Sequence, residues 1–369
     1  MIGILRIVLL AMHDFCTCFD INYAARGLAM CESLIGVSRG ELVRVFVLCL
    51  DEEVFELLNL YERPGIVPVP LAGIEQHDPS LLTAKNNRSK VEYYFTLSSC
   101  LVHFLLNTRK DVTLLTYLDA DLFFFSPWDV LFKEMGASSI MVIPHRFPDR
   151  LRHLEQGGLF NVGWISIRND QAGLGCVKWW RDRCLEWCYD RHEDGKFADQ
   201  KYLDSWPAMF PGVRVCQNIG ANVAPWNVEQ YRLTRVREGV LINHTPLVFY
   251  HSQGYQWVGP KLIEPGLAGY GRFASKEVAQ LILLPYAREV VSLTHRLVKR
   301  YPGFRIGAGN TRVWERQGYG KLYSLRLILE GRVMVQIRNK VIYIRCETFR
   351  RGLALWDRIH GRSTGTPRL

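Results

Sequence analysis

The stretch Leu114-Leu115-Thr116-Tyr117-Leu118-Asp119-Ala120-Asp121-Leu122-Phe123-Phe124-Phe125 decides how the rest of the chain is read. Val112 to Leu118 is apolar, rich in β-branched and aromatic residues, and too short for an independent helix, so it reads as a buried strand. Ser126-Pro127 ends the run. A buried strand cannot hold two unpaired anions, because desolvating charge without a partner costs more than the strand's packing returns. Asp119 and Asp121 therefore belong at the strand's end, with something positive beside them. Residues one apart on an extended backbone point the same way, so both carboxylates can grip one ion. Hard divalent cations such as Mn²⁺ and Mg²⁺ take oxygen ligands and complete their shells with substrate phosphates. Two solvated loop acids are the plain alternative, since Asp-x-Asp is a short motif.

Upstream, the order of patterns is regular. Ile4 to Leu10 reads as a first buried strand, followed by a loop through Ala11 to Thr17. Tyr23 to Ile35 has helical periodicity, Leu42 to Leu50 reads as a strand, Glu52 to Leu60 as a short helix and Ile66 to Leu71 as a third strand. This alternation predicts parallel strands with helices on both faces. Ser89 to Leu106 is the next helix. Arg88 and Lys90 at its start oppose the helix dipole, and a bound anion would supply a reason for them.

Downstream come a helix over Pro127 to Met135, a strand over Ser139 to Ile143, and the glycine-bordered strand Gly157 to Ile167. Asn161 in that apolar run needs hydrogen-bond partners, and glycine there marks close approach by a ligand or another backbone. Residues 171–190 form a helix. Phe197 to Asp204 starts a short one, with Asp199 in its favoured first turn. Val213 to Cys216 is a short strand. Pro246 to Tyr255 reads as a strand running into a glycine turn, with His251 closing the apolar run. The acids lie where doubly wound sheets bind ligands, outside the carboxyl ends of strands.

The 369 residues divide into an α/β unit at 1–260 and a basic extension at 261–369, helical with a small hairpin (Val333 to Ile337, Val341 to Ile344) and a loose tail. A net charge of +10 points to an acidic partner. No basic patch interleaved with aromatics argues for nucleic acid. The basic extension fits peripheral contact with an anionic membrane carrying a lipid-linked acceptor. The ten cysteines sit mostly in apolar periodic segments and read as reduced core thiols, hence a cytoplasmic setting. Ile2 to Met12 is interrupted by Arg6 and fails as a signal peptide or a membrane span.

Taken in order, Tyr-Leu-Asp119-Ala-Asp121 with Pro127 behind it, Leu-Phe-Asn161-Val-Gly163, Ala-Asp199-Gln200 and Tyr-His251-Ser-Gln-Gly254 resemble the nucleotide-sugar glycosyltransferases of the GT-A fold. The similarity is greatest to the glycogenin-like family 8 and its bacterial relatives, over residues 4 to 258. The resemblance implies a mixed sheet with helices on both faces and a metal-dependent transfer of a hexose, from a UDP-sugar to a glycan, lipid-linked or other hydroxyl acceptor. Asp119, Asp121 and His251 would hold Mn²⁺ or Mg²⁺, with Asp119 also at the ribose. Phe15 and Thr17, in the loop after the first strand, would lie at the uracil. Arg88, Lys90 and Tyr94 would lie near the diphosphate or sugar, as would Ser252 and Gly254 beside the late His. Asn161, Gly163, Asp199 and Gln200 would surround the donor sugar and reacting carbon. One departure is that the family's Lys a few residues past the late His is replaced by Ser252-Gln253-Gly254-Tyr255-Gln256-Trp257, and Lys261 comes late. Retention would need no protein base, whereas inversion would require a carboxylate, with Asp199 the best placed; the resemblance favours retention. A sugar-nucleotide-forming nucleotidyltransferase would need a glycine- and arginine-bearing phosphate loop, which Met12 to Thr17 lacks. Paired acids one residue apart do not suit a glycoside hydrolase. A degenerate sugar-binding module remains the non-enzymatic alternative.

Overall fold

The computed structural model describes residues 12–259, 262–271, 274–302, 304, 334–337 and 340–343. The expected strand at Ile4 to Leu10, Lys261 and the tail lie outside them. Two compact units emerge, one of residues 1–146 with 153–218, the other of 147–152 with 219–369.

In the first unit, strand β1 (Met12–Phe19) is followed by helix α1 (Ala24–Gly36), β2 (Leu42–Cys49), α2 (Glu52–Tyr61) and β3 (Ile66–Pro70). Two short helices, α3 (Leu71–His77) and α4 (Ser80–Asn87), lead into α5 (Lys90–Thr108). Strand β4 (Leu114–Leu118), the short β5 (Leu122–Phe124), α6 (Asp129–Met135), β6 (Ile140–Pro144) and β7 (Phe160–Arg168) come next. Helices α7 (Gln171–Glu186) and α8 (Trp206–Met209) and strand β8 (Val213–Val215) complete the unit.

The seven-stranded sheet has the order β3-β2-β1-β4-β7-β6-β8. The expected parallel alternation holds for β1 to β4. Strand β7 runs antiparallel between β4 and β6, which makes the sheet mixed. Side chains alternate across β1, as a period of two demands. Cys16 joins a core with α5 and α7, from which Leu97, Leu101, Leu105, Val177 and Trp180 project. Phe15 faces the other way, its ring 5.3 Å from Trp128 and 6.2 Å from Trp164. Trp128 in turn donates its indole N–H to the Leu34 carbonyl at 3.2 Å, which ties that layer to α1. Both faces are therefore covered, and near-continuous apolar strands are the consequence.

The reading of Met12 to Thr17 as a loop is corrected here, because Met12–Phe19 is itself a strand inside the sheet, between β2 and β4. The chain turns only at Asp20, whose carboxylate accepts the N–H groups of Asn22 and Tyr23. Asp51 does the same after β2, accepting from Val54 at 2.9 Å to start α2 and from Ile21 at 3.0 Å. Helix α5 begins with a capping box, Ser89 with Glu92.

Arg88 shows why a basic residue stands before α5. Its guanidinium donates to the carbonyls of Cys184 and Leu185, both at 2.6 Å, and to the Thr96 hydroxyl. Those carbonyls are the unpaired acceptors of the last turn of α7, where a cation is favoured by the dipole. Arg88 thus pins α5 to α7, and an anion is not needed to explain it.

In the second unit, β9 (Leu233–Val236), β10 (Gly239–Ile242) and β11 (Thr245–Pro246) form an antiparallel sheet, and β12 (Phe249–His251) follows. The single strand expected over Pro246 to Tyr255 is therefore broken. Strands β13 (Tyr255–Gly259), β14 (Leu262–Pro265), β15 (Met334–Ile337) and β16 (Lys340–Tyr343) make a second antiparallel sheet, and the last two are the expected hairpin. A short α9 (Lys276–Val278) leads through a π-helical turn into α10 (Leu284–Arg300), which buries Leu284, Val290, Leu293 and Leu297 on one side. No helix among the described residues is long and apolar enough to cross a membrane.

Two substitutions test this packing. A Cβ at Gly27 would lie 2.4 Å from the Phe19 ring. Gly27→Ala should therefore cost about 1–3 kcal/mol by overpacking, read from the urea midpoint. Arg88→Met should cost roughly 2–4 kcal/mol in the same measurement, because it strands buried carbonyls.

Candidate functional site at the carboxyl edge of the sheet

Asp119 and Asp121 stand where β4 stops. The Asp119 N–H still bonds across the sheet to the Gly163 carbonyl at 3.2 Å, and the chain then turns, with the Leu122 N–H returning to the Asp119 carbonyl at 3.4 Å. The pair therefore occupies a turn between β4 and β5 and not the extended backbone expected of it. Asp121 is buried and Asp119 half-buried. Helix α1 brings a cation into the same neighbourhood. Arg26 is buried, with its guanidinium 3.8 Å from the centre of the Tyr23 ring. Arg26 pulls the Tyr23 phenol down, but burial and the charges of Asp121, Asp119 and Asp20 outweigh it and leave the phenol raised. Arg26, Tyr23 and the acid pair are thus electrostatic neighbours.

Strand β7 supplies the next group. Its pairing with β6 slips between Val142 and Ile143, so that Ile143 faces Asn161 while Val142 faces Ile165. Gly163 lies inside this bulge, its N–H donating to Asn161 Oδ1 at 3.0 Å. The Asn161 amide N–H₂ reaches His145 Nε2 and Gln200 Oε1, each at 3.3 Å. A proton on His145 Nδ1, which lies 3.3 Å from the Leu159 carbonyl, leaves Nε2 free to accept. Gln200 is fixed in turn by donating to the Gly157 carbonyl at 3.1 Å. Gly158, at φ +139°, leaves room for it, since a Cβ there would sit 3.0 Å from Gln200 Cγ. The glycines that sequence reading assigned to a ligand's close approach thus also serve a side chain and a bulge.

Asp199 precedes a 3₁₀ turn over Lys201–Ser205 and does not cap it, which corrects its placement in a helical first turn. It is buried, with Oδ2 2.5 Å from the Ser98 hydroxyl. Burial, opposed by that hydrogen bond and reinforced by the Asp119 charge, raises the carboxyl to about 7. Such a group can exchange a proton near neutrality.

His251 ends β12, buried, its ring edge-on to Trp226 at 5.2 Å and its N–H bonded to the Val223 carbonyl at 2.8 Å. Among the described residues, Asp119, Asp121 and His251 are the grouping that could hold a metal ion, each offering one ligand atom within 4.8 Å of the other two. Ser252 is buried beside the His, with no hydrogen-bond partner for its hydroxyl among the described residues. Gly254 sits at φ +78°, where a Cβ would come 3.1 Å from Gly266 Cα, so its glycine character is set by that turn.

The remaining candidates lie as follows. Phe15 and Thr17 are fully buried within β1. Lys90 is exposed and pairs with Asp20 at 3.2 Å. The neighbouring Tyr94 phenol and the Asp20 charge raise the ammonium to about 12. Burial pushes the Tyr94 phenol up to about 12. Sequence reasoning missed Arg26, His145 and Ser98. Arg26 carried one legible signal, a basic residue in the first turn of an otherwise apolar helix. His145 and Ser98 carried none, because their partners come from distant elements.

No family model matches the chain. It is 32% identical over 266 residues to the uncharacterized protein YfnD of Bacillus subtilis (strain 168), covering 71% of this chain and 84% of the relative. The YfnF protein of the same organism is 32% identical over 253 residues, covering 66% and 82%. Among solved structures, the galactosyltransferase LgtC in complex with donor and acceptor sugar analogs aligns over 78% of this chain and 100% of its own, at 16% identity and a TM-score of 0.50. At that identity the likeness speaks for the fold. The chain belongs to the family of Bacillus subtilis YfnD and YfnF, and its fold is that of the GT-A glycosyltransferases.

Proposed function

We propose that the protein is a metal-dependent glycosyltransferase that moves a hexose from a nucleotide sugar, a UDP-sugar, to a hydroxyl of a glycan or lipid-linked acceptor with retention of configuration. The observation that carries this reading is the grouping of Asp119, Asp121 and His251. Two carboxylates and an imidazole are a donor set suited to Mn²⁺, with Mg²⁺ the alternative, and donor phosphates would fill the remaining positions. The ion, when bound, neutralises the charge that develops on the departing diphosphate. At roughly 4 Å and an effective dielectric of about 20, one charge pair is worth about 4 kcal/mol.

The chain's own residues divide the remaining tasks. Asp119 would orient the ribose beside the ion, while Lys90, paired with Asp20 just past β1, and Tyr94 one turn further along α5 would meet the nucleotide outside the carboxyl end of β1. The rigid set of Asn161, Gln200 and Asp199 offers amide donors and carboxyl acceptors to sugar hydroxyls. With retention, the leaving phosphate takes the acceptor's proton and Asp199 binds sugar without acting as a base. The sequence motifs and the likeness to a sugar-transferring fold both support this assignment.

Thermal shift across a panel of nucleotide sugars, with and without Mn²⁺, identifies the donor. Asp121→Ala should abolish the Mn²⁺-dependent shift and leave the melting point of the ligand-free protein within a few degrees of the parent. An unchanged donor shift would refute the ligand set.

A further inference from the structure

Ser98 is buried on α5, and its hydroxyl meets two oxygens: the Phe95 carbonyl at 2.7 Å and Asp199 Oδ2 at 2.5 Å. A hydroxyl has one proton to donate and lone pairs with which to accept. When Asp199 is ionised, the Ser98 proton goes to Oδ2, and 2.5 Å is the length of a charge-assisted O–H···O⁻ bond. When Asp199 is neutral, the carboxylic acid donates to Ser98 Oγ, and Ser98 turns its own proton to the Phe95 carbonyl. Either state is satisfied by moving hydrogens alone.

The backbone around Asp199 is equally constrained. Its carbonyl accepts the Trp180 indole N–H at 2.9 Å, and Ala198 before it is held at φ +45° with its N–H on the Tyr189 carbonyl at 3.0 Å. The carboxyl group thus keeps only its own rotation, and Ser98 removes that. Resting on the glycosyltransferase reading of the site, we propose that Ser98 is a positioning residue that anchors Oδ2 of Asp199 in both protonation states and leaves Oδ1 as the oxygen that meets the donor sugar.

Other titratable groups facing Asp199 among the described residues are Asp119, Cys18, Tyr117 and Cys184. Both cysteines and the tyrosine are raised by burial and stay neutral at working pH, so Asp119 is the charge that acts on Asp199. Because the folded carboxyl titrates near 7 against an ordinary 3.8, the native state binds its proton more tightly than the unfolded chain does. The resulting stabilisation is complete below the ordinary value and is lost as pH rises to about 7.

The test follows the urea midpoint from pH 4 to 8, without metal or substrate, for the parent and for Asp199→Asn, Ser98→Ala, Ser98→Cys and Ser98→Thr. The parent should lose stability with rising pH, and Asp199→Asn should lack that component. Ser98→Ala should move the upper end of the fall by roughly one pH unit upward. Ser98→Cys, a weak donor of similar size, should move it in the same direction, and Ser98→Thr should follow the parent. A Ser98→Ala curve superimposable on the parent's overturns the proposal, as does a fall that persists in Asp199→Asn. Ser98→Cys decides the matter if the alanine variant does not fold. With Mn²⁺ and the donor found by thermal shift, Ser98→Ala should lose turnover roughly tenfold or more at little changed donor affinity, with Thr restoring it. A pH shift without any nucleotide-sugar binding keeps the Ser98–Asp199 coupling and rejects the glycosyltransferase reading. Donor turnover that is indifferent to Ser98 does the reverse.

Discussion

Carboxylates withdrawn from water at the end of an apolar sheet are the constraint from which the first unit's architecture follows. Asp121 and Asp199 are both buried, and Asp119 is half-buried between them in the electrostatic sense: its charge reaches Asp199 and the Tyr23 phenol. Each anion needs a compensating group, and each receives a different one. Asp199 takes a proton near neutrality and a hydroxyl, while the acid pair has Arg26 close by and a ligand geometry suited to a cation. An apolar replacement of any one acid would relieve desolvation, so their retention at this edge is better explained by chemistry than by stability.

Rigidity around these anions comes from short polar links. Gly157, Gln200, Asn161, His145 and Leu159 form a chain of hydrogen bonds that begins and ends on backbone carbonyls, and Asn161 also holds the bulge at Gly163. The bulge lets β7 keep its register with β4 while turning a polar side chain toward the edge. In a low-dielectric setting such a network either is satisfied or is a liability, and here it fixes the side chains that a sugar would meet. The aromatic layer of Phe15, Trp128, Phe132 and Trp164 supports the opposite face of the same strands and keeps α1, with Arg26 on it, in place.

Much of the chain's positive charge in the first unit is local in purpose. Arg88 satisfies the end of α7, Arg44 bridges Asp14 and Asp111 at 2.6 Å each, and Arg181 pairs with Asp78 and Asp182. A net charge of +10 therefore says less about a polyanionic partner than the number alone suggests.

The sequence by itself determined the strand–helix alternation, the break after Leu118 that strands two acids at a sheet edge, and the need for hydrogen-bond partners at Asn161. Each follows from local rules, namely periodicity, proline and glycine punctuation, and the desolvation of charge. It read Met12 to Thr17 as a loop because His13, Asp14 and Thr17 interrupt the apolar pattern there, and it offered a bound anion as the reason for Arg88 because the carbonyls that Arg88 caps lie 96 and 97 residues away. Only the tertiary structure decided that Asp119 and Asp121 share a turn, that Ser98 meets Asp199 across 101 residues of chain, and that a buried arginine lies near the acids. Hydrogen bonds and desolvation act through space, and their partners leave no mark on the neighbouring sequence.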